Sequence, residues 1–404
     1  MKPDDYKRTR KNCCGFARMT LLTTALTVPL QQVLSATLPV GGKPKATTSA
    51  APLQIELVVR TINNFKTRKD VSDFFRLAKK FSVTTVHVNV KQDEDDERPS
   101  GEVYYASKIA PIAAGYEKFD VLAAAVAEGR RLGIRVYAWL PQFHDQAAMR
   151  QHPEWQMQSS EKGVSRPYQG KKNTEFFINP IDPAVQAYER SLIEEVVRNY
   201  RVDGISLDWL RFDDVNMDTG NYTRELARQE IGIDPLAINF SEPSATSALW
   251  QRWRARKIGA YVRSIRQLLK EIRAEVKLGA FLLPPEFTEV GQNLSTFSAY
   301  LDEALPMAYF NDWGRSANWV SAKLIHDVVR KKNADMQIKP TLDGTGTVAQ
   351  NVEILHEIKQ TFPQVRSVAW FSAVYWQPAE IKRIAAMHRS AANMRPAEHS
   401  NNMQ

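Results

Sequence analysis

Short apolar runs alternate with segments of helical periodicity along most of the chain, and the alternation occurs eight times. The eight runs are 54–60, 83–90, 134–140, 202–209, 278–283, 305–310, 338–343 and 368–372. Strands that alternate with helices form parallel sheets, and eight such units are the number that closes a (β/α)8 barrel. The pattern therefore predicts an α/β fold that consists of a single (β/α)8 TIM barrel.

Helical periodicity marks the segments between these runs. Helices are predicted at 70–80, 119–131, 248–275, 316–331, 348–361 and 378–388, and one more begins at 182–183. Asp70 and Asp182 are suitable N-cap residues, and Gly133 is a suitable C-cap. Long loops follow strands 2, 3 and 4, at 91–118, 141–182 and 210–247. Because all three would overhang the same face of the barrel, they predict a groove there.

The fourth run places a carboxylate at the end of a strand. In VDGISLDW, at 202–209, Ile205 and Leu207 alternate with Gly204, Ser206 and Asp208. Because successive side chains point to opposite faces of a strand, the aliphatic pair should pack against helices while Asp208 faces the barrel axis. TIM-barrel enzymes carry their active sites at the carboxyl ends of the strands. Asp208 is therefore the leading catalytic candidate.

Two further acids complete the catalytic prediction, since hydrolysis of a glycosidic bond usually requires two carboxyl groups. Asp343 ends the seventh run with the same alternation, and Glu286 follows a stiff Pro-Pro pair above the fifth run, where it would act as general acid. Asp213 and Asp214 lie just beyond the fourth run. Structural roles are the alternatives: a capping or salt-bridged Asp208, a solvated Glu286 and a turn at Asp343.

Residues near the strand ends also predict a sugar-binding surface, because flat aromatic rings can cover the apolar C–H faces of sugar rings. The substrate-binding candidates are Asn89, Trp139, Trp209, Arg211, Tyr309, Asp312, Trp313, Trp370 and Trp376. Core packing is the alternative for about half of the aromatic residues. Trp313 and Trp376 are the favoured platforms, since polar residues flank them beyond the strand ends.

Composition narrows the class of ligand. Hydrophobic residues make up 43% of the chain and charged residues 25%, as in an ordinary globular protein. The net charge of +9 falls to about +5 without the basic leader, and no arginine-rich stripe follows, which argues against nucleic acid. The only cysteines, Cys13 and Cys14, lie in that leader. Because no His/Cys ligand pattern occurs, we predict no metal and no cofactor, with weak Ca²⁺ binding by the acidic run 93–97 as an alternative. The acidic run also favours a cationic polymer as substrate.

The two ends of the sequence differ from its body. Residues 1–36 combine a basic start with an apolar run, which is typical of a signal peptide and predicts a periplasmic or secreted protein; a disordered cytosolic extension is the alternative. A flexible linker is predicted at 37–52, the barrel at 53–392 and a disordered tail at 393–404. No later segment has the roughly 20 apolar residues of a membrane span, so none is predicted in the mature chain.

Six motifs occur in an order that resembles the bacterial glycosyl-hydrolase-like family ten. They are VTTVHVNV at 83–90, VYYASK at 103–108, IRVYAWL at 134–140, HPEW at 152–155, FINP at 177–180 and VDGISLDW at 202–209. The chain is also similar to the carboxy-terminal hydrolase domain of periplasmic poly-N-acetylglucosamine deacetylase, through YAWLP at 137–141, the helix with Trp250, Trp253 and Lys257, and LPMAY at 305–309. That domain has His-Asp-Asp where this chain has Asp208-Trp209-Leu210, so its second acid is missing in place.

The resemblance implies an exported (β/α)8 protein that acts on a bacterial envelope or biofilm polysaccharide, with Asp208 as the central aspartate. The leading hypothesis is an endo-acting glycoside hydrolase for a hexosamine-containing polysaccharide such as poly-N-acetylglucosamine. A non-catalytic glycan-binding protein that assists the exopolysaccharide secretion machinery is the alternative from another class. A hydrolase for an α-linked galactosamine polymer is a third possibility, because one barrel fold serves many substrates.

Overall fold

The computed structural model describes residues 52–93, 99–170, 176–372 and 374–394. The predicted signal peptide, nearly all of the predicted linker, and residues 395–404 of the predicted tail lie outside the described residues. Asn393, where the tail is predicted to begin, still belongs to the final helix. Within the described residues, no helix is both long enough and apolar enough to cross a membrane.

A curled parallel sheet forms the centre of the fold. The described strands are β1 (Gln54–Val59), β2 (Val83–Asn89), β3 (Arg135–Pro141), β4 (Gln158–Glu161), β5 (Val164–Pro167), β6 (Gly204–Asp208), β7 (Lys277–Leu282), β8 (Glu303–Pro306), β9 (Gln337–Ile338), β10 (Thr341–Leu342) and β11 (Ser367–Ser372). Nine of these are hydrogen-bonded in the order β10-β11-β1-β2-β3-β6-β7-β8-β9, whereas β4 and β5 form a separate antiparallel hairpin. Every one of the predicted apolar runs overlaps a strand, although the run 305–310 shares only its first two residues with β8, and the α/β class with a parallel sheet is confirmed.

The seventh apolar run is divided between two strands. β9 pairs with β8 and β10 pairs with β11, and only Lys339 and Pro340 separate the two pieces. Proline has no backbone N–H to donate to a strand ladder, which accounts for the break. Met307, directly after β8, forms a parallel bridge with Thr341 of β10. The two terminal strands of the sheet order therefore follow each other directly along the chain.

Helices follow the strands, and most begin where the sequence indicates. Their bounds are Thr61–Asn64, Arg68–Lys80, Val121–Leu132, Gln146–Gln151, Pro183–Asn199, Asn221–Ile231, Ala245–Arg273, Leu294–Phe297, His326–Lys331, Val348–Thr361 and Pro378–Asn393. The N-cap Asp182 and the left-handed C-cap Gly133 are as predicted. Thr67, not Asp70, caps the second helix, and Asp70 accepts a hydrogen bond from the Thr67 backbone N–H. The segment predicted as a helix at 316–331 contains a π-helical stretch, Val320–Ile325, before its α-helical part.

The segments predicted as long loops contain short elements of their own. The segment after β3 holds the helix Gln146–Gln151 and the β4–β5 hairpin, and the segment after β6 holds the helix Asn221–Ile231. After β2, Val103 forms bridges with both Lys91 and Ile112. These elements lie near the carboxyl ends of the central strands, where the candidate site is expected.

The two faces of the sheet carry different side chains. Ile205 and Leu207 of β6 belong to the large core that includes the surrounding helices. A separate apolar cluster lies on the inner face of the curl and consists of Val58, Trp139, Phe281, Leu305, Tyr309, Ala369 and Phe371. Ser206 of β6 also points inward, since its hydroxyl lies 2.7 Å from the Nδ1 atom of His87. The predicted alternation in β6 is therefore confirmed, and Asp208 lies on the inner face at the end of the strand.

Candidate active site

Asp208 lies at the carboxyl end of β6 and is partly exposed. Its Oδ1 atom accepts a hydrogen bond from the Trp209 backbone N–H at 2.8 Å, and its Oδ2 atom accepts one from the Trp139 indole N–H at 3.1 Å. Burial of the carboxyl group raises the pKa of Asp208 to about 6, and the negative charge of Asp93 acts in the same direction. The Trp209 N–H, the Arg211 charge and the Trp139 N–H partly oppose this rise in pKa. The group can therefore hold a proton at mildly acidic pH and donate it.

Trp209 connects Asp208 to a second acid. Its backbone φ is 54°, in the left-handed region that a bulky residue rarely adopts, and this turn brings its N–H back onto the preceding carboxylate. Its indole N–H donates to Asp93 at 3.4 Å. The ring of His144 is stacked on Trp209 with 5.0 Å between ring centroids, and the Arg211 guanidinium lies 4.0 Å from the Trp209 ring centroid. Trp209 therefore contacts several residues of the site, and because it is also partly exposed, its contact with substrate stays a prediction.

Asp93 forms a buried ion pair with Arg60. The Arg60 Nη1 atom lies 2.8 Å from Asp93 Oδ1, and the side chains are 4% and 1% exposed. The same guanidinium lies 5.3 Å from the Trp139 ring centroid and 5.6 Å from that of Phe371. The sequence places Asp93 in an acidic run and Arg60 at the end of an apolar run, and neither is among the predicted site residues. The sequence did offer one indication for Arg60, because a charged residue that directly follows a buried strand lies at the strand end where a site is expected.

An aromatic floor lies beside these charged groups. Tyr309 is stacked on Phe371 with 5.6 Å between ring centroids, and Trp139 packs against Phe281 at 5.7 Å. Trp313 packs against this inner cluster while remaining partly exposed, and its ring lies 5.1 Å from that of Phe287. Because Trp139 also donates to Asp208, the floor adjoins the acid. Trp139 and Phe281 are each 2% exposed, so the predicted contact of Trp139 with substrate is corrected. Trp313 is the partly exposed ring of this group, and a sugar ring could place its C–H face there.

The other carboxylates near the strand ends have local partners. Glu286 accepts a hydrogen bond from the Trp319 indole at 3.1 Å, with Lys323 at 3.2 Å and Arg315 at 3.7 Å. Asp343 accepts hydrogen bonds from the backbone N–H and the hydroxyl of Thr345, at 3.2 and 3.0 Å. Both of these acids therefore have structural roles, whatever their part in chemistry.

Asp213 forms an ion pair with Arg211, whose charge also acts on Asp208. The Arg211 Nη1 atom lies 3.2 Å from Asp213 Oδ1, and the Tyr168 hydroxyl donates to the other carboxylate oxygen of Asp213. The Asp213 side chain is 25% exposed, so a ligand can reach it. Asp312, two residues after Phe310, is exposed, and its contact with substrate stays a prediction.

Two predicted sugar platforms are buried away from the floor. Trp370 is completely buried on the helix-facing side of β11, and its indole N–H donates to His388 at 3.0 Å; burial lowers the pKa of His388 to about 4. Trp376 is 3% exposed, and its indole N–H donates to the carbonyl oxygen of Val58. These positions correct the prediction that the two rings line the binding surface, because neither ring has an accessible face.

Asn89 is also buried, and it serves the backbone of the loop that carries Asp93. Its amide donates to the carbonyl oxygen of Lys91 at 2.8 Å. The Lys91 ammonium lies 2.9 Å from Asp145 and 2.7 Å from Glu189, with all three side chains completely buried. Asn89 therefore supports the loop that carries Asp93, and its complete burial corrects its predicted contact with substrate.

A second charged cluster lies deeper on the same strands. Lys339 lies 3.0 Å from Glu56 and 2.9 Å from Glu303, His87 lies 2.8 Å from Glu56, and the Tyr137 hydroxyl donates to Glu303 at 2.8 Å. Burial alone would raise the pKa of Glu56, but the charge of Lys339 and the contact with His87 outweigh it and hold that pKa well below its usual range. Among the described residues, no group of three or more His, Cys, Asp or Glu side chains is arranged to hold a metal ion.

Comparison with known proteins agrees with this architecture. The sequence model of the family described as "Glycosyl hydrolase-like 10" matches residues 56–341. An "S-layer-related protein" of Niallia circulans is 25% identical over 241 residues, which are 52% of this chain and 15% of that protein. This chain therefore spans only a small part of the length of that relative.

Solved structures of glycosidases share the fold. The glycoside hydrolase domain of PgaB (BpsB) from Bordetella bronchiseptica matches with a TM-score of 0.64 and 15% identity, over 86% of this chain and 100% of that one. A beta-galactosidase from Marinomonas ef1 matches with a TM-score of 0.59 and 10% identity, over 83% and 59% of the two chains. Alpha-L-fucosidase isoenzyme 2 from Paenibacillus thiaminolyticus matches with a TM-score of 0.53 and 14% identity, over 84% and 49%. The chain belongs to the glycosyl hydrolase-like 10 family.

Proposed function

We propose that this protein hydrolyses glycosidic bonds in a bacterial envelope or biofilm polysaccharide, with Asp208 as the proton donor. The observation that carries this proposal is Asp208, a partly exposed residue at the end of β6 whose carboxyl pKa is raised to about 6 by burial beside an aromatic floor. A glycosidase needs an acid that is still protonated at its working pH, and burial is a common way to obtain one. The family match and the fold shared with glycosidases support this reaction class.

The proposed reaction uses two acids. Asp208 transfers its proton to the glycosidic oxygen as the bond to the anomeric carbon breaks, so the leaving sugar departs as a neutral alcohol. The oxygen of a water molecule forms the new bond to the anomeric carbon, either directly, with the second carboxylate accepting a proton from the water, or after that carboxylate has first bonded to the carbon as nucleophile. Asp213 is our candidate for the second carboxyl group, because it is partly exposed and shares Arg211 with Asp208. Glu286 and Asp343 are the other candidates for this second role. The proposal also includes closure of the sheet into an eight-stranded barrel, since β9 and β10 join its two ends through two intervening residues.

The proposed substrate contains hexosamine. Free amino groups on a partly deacetylated polymer are cations, and an acidic rim would attract them. The acidic run at 93–97 would supply that rim; of its residues, Asp93 is described and is already paired with Arg60. The resemblance to the hydrolase domain of a poly-N-acetylglucosamine deacetylase points to the same substrate class.

The test is cleavage of partly deacetylated poly-N-acetylglucosamine, with products sized by mass spectrometry. Because general acid catalysis contributes roughly 10²–10⁴-fold, Asp208→Asn should lower the cleavage rate at least about a hundredfold without lowering the thermal midpoint. Asp213→Asn, Glu286→Gln and Asp343→Asn, measured alongside, identify the second carboxyl group as the one whose loss has a comparable effect. An Asp208→Asn protein with unchanged activity would remove Asp208 from the mechanism.

A non-catalytic glycan-binding role is the second candidate. One observation favours it: Leu210, which is buried, stands where the related domain has an acid. Under this alternative the wild-type protein binds the polysaccharide but releases no shorter oligosaccharides after long incubation, as expected of a protein that assists exopolysaccharide secretion. Including an α-linked galactosamine polymer in the same assay separates a different substrate from an absence of hydrolysis.

We also propose that the protein is exported, on the basis of the basic and apolar leader at 1–36. Expression of the full chain followed by cell fractionation and N-terminal sequencing tests this. Recovery of the uncleaved chain in the cytosolic fraction would contradict it.

A further inference from the structure

Asp208 and four other residues form a closed series of contacts. Asp208 accepts from the backbone of Trp209, the Trp209 indole donates to Asp93, and Asp93 pairs with Arg60. The Arg60 guanidinium lies over Trp139, whose indole N–H returns to Asp208. The series joins residues at or beyond the ends of β1, β2 and β6 with one residue of β3. Trp209 on one side and Trp139 on the other therefore hold the Arg60–Asp93 pair at a fixed position relative to the Asp208 carboxyl group.

Arg60 and Asp93 carry opposite charges and lie close to Asp208. Within the series, Asp208 itself accepts hydrogen bonds only from neutral N–H groups. Arg60 is 3% exposed and Asp93 is 1% exposed, so water screens their fields weakly. Asp93 is too deeply buried to contact a substrate, and any effect it has on the reaction must pass through Asp208. Within the part of the chain that the structure describes, the other charged or titratable groups that face this region are Arg211 and Asp213, which follow β6, and His144, which follows β3.

We infer that Arg60 and Asp93 are positioning residues whose opposed charges set the pH range in which Asp208 holds its proton. The inference rests on the proposed function only for its effect on the pH–activity profile, since the titration of Asp208 can be measured without any catalysis. Asp93 favours the protonated form of Asp208, because two neighbouring carboxylates repel each other. Arg60 limits that effect by pairing with Asp93. Since neither residue reaches the substrate, the pair acts on the acid without taking part in bond breaking.

Opposed charges predict shifts of opposite sign, which a merely structural role would not produce. Asp93→Asn removes a negative charge from the neighbourhood of Asp208, so Asp208 should lose its proton at a pH lower by about one pH unit. Arg60→Met removes a positive charge from the same neighbourhood, so Asp208 should hold its proton to a pH higher by a similar amount. Arg60→Lys keeps the charge and should titrate close to wild type. Combining Arg60→Met with Asp93→Asn removes both charges and should largely cancel the two shifts.

The experiment follows the Asp208 carboxyl group directly by ¹³C NMR on protein labelled at the aspartate carboxyl carbon. The Asp208 signal is assigned by its loss in Asp208→Asn, and its titration midpoint is measured in each variant. Asp302→Asn is the matched control, because it breaks the Arg266–Asp302 ion pair at the start of β8 rather than at the end of the strands. If Arg60→Met does not fold, Asp93→Asn and the double variant still test the sign and the cancellation.

Shifts of opposite sign that cancel in the double variant support the inference; a midpoint that stays fixed, or that moves in the same direction in both single variants, overturns it. The alkaline limb of the pH–activity profile should move with the NMR midpoint in each variant. If the NMR midpoints shift as expected while the wild type cleaves no polysaccharide, the electrostatic role stands and the proposed hydrolysis fails. If the wild type cleaves the polysaccharide while the midpoints stay fixed, the hydrolysis stands and the electrostatic role fails.

Discussion

Two charged clusters lie on the same strands, one nearer the carboxyl ends of the strands than the other, and they shift the pKa values of their carboxyl groups in opposite directions. The lower cluster consists of Glu56, His87, Tyr137, Ser206, Glu303 and Lys339. The upper cluster consists of Arg60, Asp93, Trp139, Asp208 and Trp209. The two clusters share strands: β3 contributes Tyr137 to the lower one and Trp139 to the upper one, while β6 contributes Ser206 and Asp208.

The lower cluster gives its acids a cation. Lys339 reaches both Glu56 and Glu303 at 3.0 Å or less, and the pKa of Glu56 lies well below its usual range because those contacts outweigh burial. A buried carboxylate that is held charged in this way cannot donate a proton near neutral pH. The cluster is therefore suited to fixing β1, β8 and the interrupted seventh strand relative to one another.

The upper cluster pairs its cation with Asp93 and leaves Asp208 without one. Arg60 lies against Asp93, whereas Asp208 accepts hydrogen bonds from the neutral N–H groups of Trp139 and Trp209. Burial then raises the pKa of Asp208 to about 6. The comparison shows that depth alone does not make a buried carboxyl group an acid; the charge of its nearest partners decides.

The largest effect is expected from breaking the lower cluster. Lys339→Met removes the cation shared by Glu56 and Glu303 and leaves two buried carboxylates, which should lower the free energy of unfolding by about 3–5 kcal/mol. Urea unfolding at neutral pH measures this change. Glycan cleavage per folded molecule, measured at low temperature, should be retained, because Lys339 lies below the apolar cluster that separates it from the site.

Lys277→Met is the matched control for that variant. Lys277 is 54% exposed at the start of β7 and lies 3.8 Å from Asp302, so its loss should change the free energy of unfolding by less than about 1 kcal/mol. Equal losses in the two variants would show that the lower cluster contributes no more than a surface ion pair.

Strand alternation was sufficient to predict the inner face and the position of Asp208. In 204–208 the aliphatic residues alternate with small or polar ones, and period-two patterns report which face a side chain occupies. The same alternation separates Trp370 from Phe371 in β11, but two adjacent aromatic residues hide it. The sequence therefore predicts that Trp370 faces the site, although it packs against His388.

The Arg60–Asp93 pair was beyond the reach of sequence patterns. The two residues are 33 positions apart and meet only because β1 and β2 are neighbours whose ends are level. Asp93 also opens an acidic run, and a charge run more often predicts a solvated segment than a buried ion pair. Recognising the pair requires the register of the sheet, which depends on the whole fold and not on either local sequence.

A second prediction concerns the dependence of the free energy of unfolding on pH, which follows from the raised pKa of Asp208. In the unfolded chain Asp208 ionises near pH 4, roughly two pH units below its folded pKa of about 6. As pH rises from about 4 to above 6, the unfolded state releases this proton first, so the wild type loses stability over that range. Asp208→Asn cannot titrate, and its free energy of unfolding relative to wild type should therefore increase by about 1–3 kcal/mol between pH 4 and pH 7.5.

Urea unfolding of both proteins across this pH range provides the measurement. Only the change with pH is diagnostic, because any fixed difference in packing between Asp and Asn cancels. A relative stability that stays constant with pH would mean that Asp208 titrates normally and does not differ from an exposed aspartate.

The smallest expected effect distinguishes two buried tryptophans that each donate one indole hydrogen bond. Trp139→Phe removes a donor to the charged form of Asp208, worth about 1 kcal/mol, so the alkaline limb of the pH–activity profile should move upward by somewhat less than about one pH unit. Trp370→Phe removes a donor to His388 on the outer side of β11 and should lower stability without moving the profile. If both variants move the profile equally, the shift comes from general loosening of the fold and the upper cluster has no specific hold on its acid. A shift confined to Trp139→Phe, with Asp208 as the group that titrates, would mean that the neutral indole of Trp139, on the adjacent strand β3, helps to set the pKa of Asp208. A cation in direct contact with Asp208 would instead have held that pKa low, as Lys339 does for Glu56.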